Sequence, residues 1–173
     1  MEGKVLNKAL RAGLLGAVLL TLCCGQDNLT YTDEKNGYRV DYKPGWEMQQ
    51  VDISMVFLSP KEGEDDRFQE AVNVVVQDLN SMPMTLEELT NHMKDYLHKA
   101  NATIVESGKR SLGGSEGYLL VVSGKQGEME LKMMQVYTIA GGKAYIVTYT
   151  AETDKYDQYF KDAEIMFGSF EML

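Results

Sequence analysis

The two cysteines of this chain stand side by side, Cys23 and Cys24, and no cysteine follows them. Whatever folds downstream therefore has no disulfide and no thiolate metal site, and an apolar core must hold it together. The 144 residues from Thr30 to Leu173 are enough for one domain with a sizeable core. The cysteines also end a patterned segment. Lys4, Lys8 and Arg11 face a single acid, Glu2, and the apolar run AGLLGAVLLTL follows over Ala12 to Leu22. A basic start, a short apolar centre and a small-residue boundary describe a secretory signal peptide. A bilayer-spanning helix needs roughly 20 apolar residues, so this run is too short to be a permanent anchor.

A cysteine at the boundary resembles a bacterial lipobox, in which the thiol is diacylated and becomes the new N-terminus. The residue before the modified cysteine should be small. Cys24 follows Cys23, whereas Cys23 follows the large Leu22, so Cys24 is the expected lipidation site and Cys23 the alternative. The chain then divides into a signal peptide at 1–23, a lipidated N-terminus and short linker at 24–29, and a single domain at 30–173. Cleavage before Cys24 removes three basic residues and one acid, which takes the net charge from −9 to −11. A chain so acidic is a poor partner for nucleic acid and is repelled by anionic headgroups. The acyl chains must do the anchoring, and two hold stably where one does not. Gly25 to Asn28 reach at most about 15 Å, which keeps the domain near the bilayer. The expected location is the cell envelope, on the outer face of the cytoplasmic membrane or on the outer membrane.

The domain reads as strands with two helices. Asn36-Gly37 marks a hairpin, since a type I′ turn needs positive φ at both central residues, and Tyr38, Val40 and Tyr42 alternate with polar residues. Pro44-Gly45-Trp46 starts a new extended piece. Strands are expected over Ile53–Leu58, Ala71–Leu79, Thr103–Lys109, Gly117–Ser123, Glu128–Ile139 and Ala144–Ala151, with Gly141-Gly142 turning the last pair. Ser59 to Phe68, rich in acids, reads as a solvated loop. Thr85 and Glu88 form a capping box ahead of a helix whose Leu86, Leu89, Met93 and Leu97 share a stripe. The last helix spans about Lys155 to Ser169, with Phe160 and Phe167 expected in the core. In the last strand Tyr145, Val147 and Tyr149 face one way and Ala144, Ile146 and Thr148 the other, so both faces of the sheet are covered. The expected fold is α+β: a three-layer sandwich, its mostly antiparallel central sheet carrying helices on both faces.

The segments Gly37-Tyr38, Tyr42-Lys43-Pro44-Gly45-Trp46, Asn73-Val74-Val75-Val76, Leu86-Glu87-Glu88-Leu89, Gly117-Tyr118, Gly142-Lys143-Ala144-Tyr145 and Ser169-Phe170 occur in an order that resembles the PsbP-like family, to which DcrB-type lipoproteins are similar. The resemblance covers Tyr31 to Phe170. It implies the fold, because these positions are turn formers and core residues, and it carries no photosystem role to this chain.

Candidate chemistry is sparse. Gly113-Gly114-Ser115-Glu116-Gly117 spells the esterase G-x-S-x-G, but a strand rather than a helix follows the serine, and both histidines precede it. His92 and His98 lie six apart on a helix, about 120° around it, which is not a zinc-ligand spacing. Glu62, Glu64, Asp65 and Asp66 lack the EF-hand pattern. Met82, Met84, Met133 and Met134 suit core filling better than soft-metal binding. Trp46 reads as a core aromatic. No catalytic, cofactor or metal residue is assigned. The expected function is a membrane-anchored, non-catalytic interaction or assembly lipoprotein with an unidentified envelope protein as partner. The alternative is an extracytoplasmic lipoprotein that binds a small ligand or metal.

Overall fold

The computed structural model describes residues 27–173; the signal segment and Cys24 lie outside them. Two sheets and two helices make up the fold. A three-stranded sheet holds β1 (Leu29–Asp33), β2 (Tyr38–Tyr42) and β10 (Glu171–Met172), with β2 in the middle. The seven-stranded sheet runs, edge to edge, β3 (Glu47–Val51), β4 (Ser54–Leu58), β5 (Ala71–Asp78), β9 (Lys143–Glu152), β8 (Met129–Ala140), β7 (Gly117–Gln126) and β6 (Thr103–Lys109). Every described pairing is antiparallel. Helix α1 (Leu86–Lys99) packs on β6 and β7 from one side, while α2 (Tyr156–Ser169) contacts β9 and β2 on the other.

The alternation along β9 separates two cores. Tyr145, Val147 and Tyr149 join a cluster with Tyr38, Val40, Phe57 and the buried face of α2. Ala144 and Ile146 join a smaller cluster with Leu120, Tyr137 and Leu89 and Leu97 of α1. The expected α+β sandwich with a helix on each face is therefore observed, with one refinement. The N-terminal hairpin does not extend the central sheet: it forms its own sheet with the C-terminal strand β10 and shares the outer layer with α2. Tyr38, stacked on Phe170 at 5.4 Å between ring centroids, pins that layer.

Local chemistry sets the elements. Thr85 and Glu88 form both halves of the capping box: the Glu88 backbone N–H donates to Thr85 Oγ1 at 3.1 Å, and the Thr85 N–H donates to Glu88 Oε2 at 2.7 Å. Gly141 and Gly142 both have positive φ in the two-residue turn from Ala140 to Lys143. The first hairpin differs from the expected type I′ turn. Four residues separate β1 from β2, only Gly37 among them has positive φ, and Asp33 Oδ1 accepts from the Asn36 N–H at 2.9 Å. An Asp side chain thus stabilises a longer loop where the Asn-Gly pair alone suggested a two-residue one.

Two expectations of burial are corrected. Phe167 is buried, but Phe160 is only half-buried, its ring 5.5 Å from that of the buried Tyr156 and 6.4 Å from that of the buried Tyr149. The buried face of α2 is formed by Tyr156, Ala163, Met166 and Phe167, and Phe160 packs beside it against the same core without being fully covered. Nor is the Ser59–Phe68 loop simply solvated, since the side chain of Asp66 is 2% exposed.

Candidate interaction surface

The residues singled out in sequence are scattered rather than assembled. Ser115 lies in a two-residue turn, bridged to Leu112 across Gly113 and Gly114, which both have positive φ. His92 and His98 are exposed on α1, six residues apart. Met134 is buried in the α2-side core and Met133 packs against the α1-side core, so the pair straddles the sheet; Met82 is exposed and Met84 half-buried. Trp46 is buried, edge-on to Tyr159 at 6.0 Å, and its indole N–H donates to Asp162 at 3.3 Å. Among the described residues no group of His, Cys, Asp and Glu is arranged to hold a metal ion.

The acidic loop is organised around a residue that sequence reading passed over. Lys155, just ahead of α2, lies 2.9 Å from Glu62, 3.1 Å from Glu152 and 3.8 Å from Asp66. These carboxylates hold its ammonium well above the ordinary lysine value, Glu62 first and Glu152 next. Asp66 accepts in turn from the Glu62 and Phe68 backbone N–H groups. Lys155 is thus an internal counterion that fastens the loop to α2. Beside it lies Glu70, fully buried: one carboxyl oxygen accepts from Ser59 Oγ at 3.2 Å, and the other has no hydrogen-bond partner. Burial pushes its carboxyl above the ordinary value, and Lys155 only partly offsets this. The sequence signal for Glu70 was slight: one acid directly ahead of the apolar run of β5.

The surface feature that stands out is the β3 edge. All five residues of β3 are exposed, and its turn into β4 presents Val51 and Ile53, the latter 64% exposed. An edge strand offers unpaired backbone N–H and C=O groups, and proteins usually blunt such edges with bulges, lysines or proline. The opposite edge follows that rule. β6 has a register shift between Ile104 and Glu106 that leaves Val105 bulged, and it ends in Lys109. β3 (EMQQV) pairs with β4 in unbroken register and holds no lysine, no proline and no bulge. The sheet behind it is also partly open, since α1 packs on β6 and β7 rather than on β3 to β5. On that side, Val51, Ser54, Val56, Asn73, Val75 and Thr148 follow one another across four strands, all uncharged and most of them half-exposed. On an acidic chain this is an unusual stretch: a regular edge whose only charge is Glu47 at its start, continuous with an uncharged sheet face from Val51 to Thr148.

With this architecture in view, the chain takes its place among known proteins. The PsbP family model matches residues 26–172, and the chain belongs to the PsbP family. No match was found among curated protein sequences. Solved structures share the fold at low identity. Cyanobacterial PsbP (CyanoP) from Synechocystis superposes with a TM-score of 0.60 at 20% identity, over 93% of this chain and 100% of that one. LpqN of Mycobacterium tuberculosis, described as involved in cell envelope biogenesis, gives a TM-score of 0.60 at 10% identity, over 84% of this chain and 90% of that one. A Pseudomonas aeruginosa protein of unknown function gives 0.55 at 12% identity, over 78% and 89%. No helix among the described residues is long and apolar enough to cross a membrane.

Proposed function

We propose that this chain is a lipid-anchored cell-envelope protein whose PsbP domain is a non-catalytic assembly module, and that it engages an extended segment of a partner protein along β3. The open β3 edge carries the reading. An added strand takes its affinity from main-chain hydrogen bonds and its specificity from pockets for alternate side chains. β3 supplies a regular register for the first, and Met48 and Val51 supply apolar contacts for the second. The anchor follows from the lipobox at Cys24. An envelope setting accords with LpqN, a relative in fold that is described as acting in envelope biogenesis. The non-catalytic reading rests on the order of the chain, in which both histidines precede Ser115 and strand β7 rather than a helix follows it, and on the engagement of Glu62 and Asp66 by Lys155.

The test uses the full-length protein in its own cells, with a photoreactive residue at Gln49 on the edge or at Lys161, exposed on α2. The expected result is one dominant protein adduct from position 49, absent from 161, and lost when Val51→Lys places a lysine on the edge. Equal adducts from both positions, or none from 49, would overturn the docking edge. Separately, Cys24→Ala should release the protein from the membrane fraction. Acyl chains found on Cys23 would move the anchor by one residue, and a parent protein recovered soluble and unmodified would overturn the anchoring altogether.

A further inference from the structure

A groove of about 510 Å³ lies between the first half of α1 and the β6–β7 pair, at the opposite edge of the sheet from β3. Leu86 and the Tyr118 ring give it an apolar lining, and Thr90, Asn91 and Lys94 of α1 supply polar groups. Its size is in the range of small-molecule sites, which combine apolar walls with a few convergent polar groups. Lys94 is the group that matters. The residue is half-buried, and its ammonium donates to the Tyr118 hydroxyl at 3.2 Å and sits 5.0 Å from the ring centroid. Among the described residues it forms no ion pair with a carboxylate, whereas Lys109 at the rim is paired with Glu116 at 2.7 Å. On a chain with 26 acids and 17 basic residues, a half-buried lysine whose ammonium meets a phenol rather than a carboxylate is an unfilled electrostatic position. The hydrogen bonds from Lys94 and Ser107 also hold the Tyr118 phenol below its ordinary value.

We infer that the groove binds a small soluble organic anion, a carboxylate or phosphate on a short apolar body. The anion pairs with Lys94 and displaces the phenol, Asn91 and Tyr118 hydrogen-bond its oxygens, and the apolar body lies along Leu86. Glu87, the remaining acid of the lining, has no ion pair among the described residues and opposes the charge. A soluble ligand fits the position better than a lipid headgroup. The chain enters the fold at Leu29, opposite Tyr42, whose ring packs 5.2 Å from Phe57 of β4. From β4 to β7 there are four strand spacings, about 19 Å in all. That preference for a soluble source rests on the anchoring reading; the anion site itself does not.

The test is calorimetric titration of the full chain, in neutral maltoside micelles, with phenyl phosphate, benzoate and inorganic phosphate. Saturable one-to-one binding of phenyl phosphate or benzoate is expected. Lys94→Met should weaken it at least about tenfold, Lys94→Arg should retain it, and Glu87→Gln should tighten it. Circular dichroism and the unfolding midpoint check that each variant is folded. The site is overturned by no saturable binding to the parent, or by an unchanged affinity in folded Lys94→Met. Phenyl phosphate bound no more tightly than inorganic phosphate would overturn the apolar body. Displacement of phenyl phosphate by short-chain phosphatidylglycerol at lower concentration than by benzoate would overturn the soluble source and leave a headgroup site.

Discussion

Glu70 is the residue at which this fold departs most from simple chemistry. Its carboxyl is fully buried, one oxygen has no partner, and its affinity for a proton is raised mainly by desolvation. A carboxyl with a raised folded-state value holds its proton in the folded chain after the unfolded chain has lost it. Stability therefore falls as pH rises from the ordinary value of 4.5 through the raised one, and is level above it. Glu70→Gln removes that titration. The variant should gain stability relative to the parent as pH rises through this window, followed by urea unfolding between about pH 4 and pH 8. A difference between the two that is constant across the range would show that Glu70 does not titrate there. The neighbouring Lys155 limits the cost, because its positive charge, held by Glu62 and Glu152, faces the same buried region.

At the scale of elements, α2 shows how far an apolar stripe predicts a packing face. Its stripe includes Tyr156, Phe160, Ala163, Met166 and Phe167, and all but Phe160 are buried; Phe160 packs against the core only in part. Phe167 lies under the Arg110 guanidinium, 5.5 Å from the ring centroid, and that arginine is tied to Glu164 at 3.0 Å. Phe167→Ala should cost about 3–5 kcal/mol once the cavity is counted, out of a total stability of about 5–15 kcal/mol. Phe160→Ala should cost less, since its ring is only partly removed from water on folding. Midpoints of urea unfolding for the two variants decide this, and a Phe160→Ala loss as large as that of Phe167→Ala would contradict the observed packing.

For the whole molecule, charge is the dominant property. The expected mature chain carries −11, and such a net charge repels itself in the compact state. Against this stand ion pairs that are mostly exposed, such as Arg39–Glu171 and Lys109–Glu116, and pairs of this kind contribute little. Added sodium chloride should therefore raise the thermal midpoint up to about 0.5 M, because screening relieves repulsion more than it weakens those pairs. A midpoint that falls with salt would show that the Lys155 network outweighs the net charge. The same acidity shapes recognition: in the two candidate contact regions, the β3 edge with Glu47 as its single charge and the Lys94 groove, the density of acids is low or offset.

Local rules were enough to read much of this chain. The Thr85–Glu88 capping box, the Gly141-Gly142 turn and the two-faced alternation of Tyr145, Ile146 and Val147 depend on neighbours a few residues apart, and each stands in the structure as the sequence implied. So did the α+β class, because alternation with apolar residues on both faces requires cover on both. Tertiary structure decided what depends on distant partners. It gave β10 to β2, 132 residues from Arg39 to Glu171, and so made a second sheet with the N-terminal hairpin. It left Phe160 half-buried, gathered Glu62, Asp66 and Glu152 around Lys155, and buried Glu70. It also left β3 at an edge while bringing Lys94 over Tyr118. The physical reason is common to all of these: hydrogen-bond partners across strands and the burial of a charge are set by which elements meet, and the composition of a single segment does not contain that information.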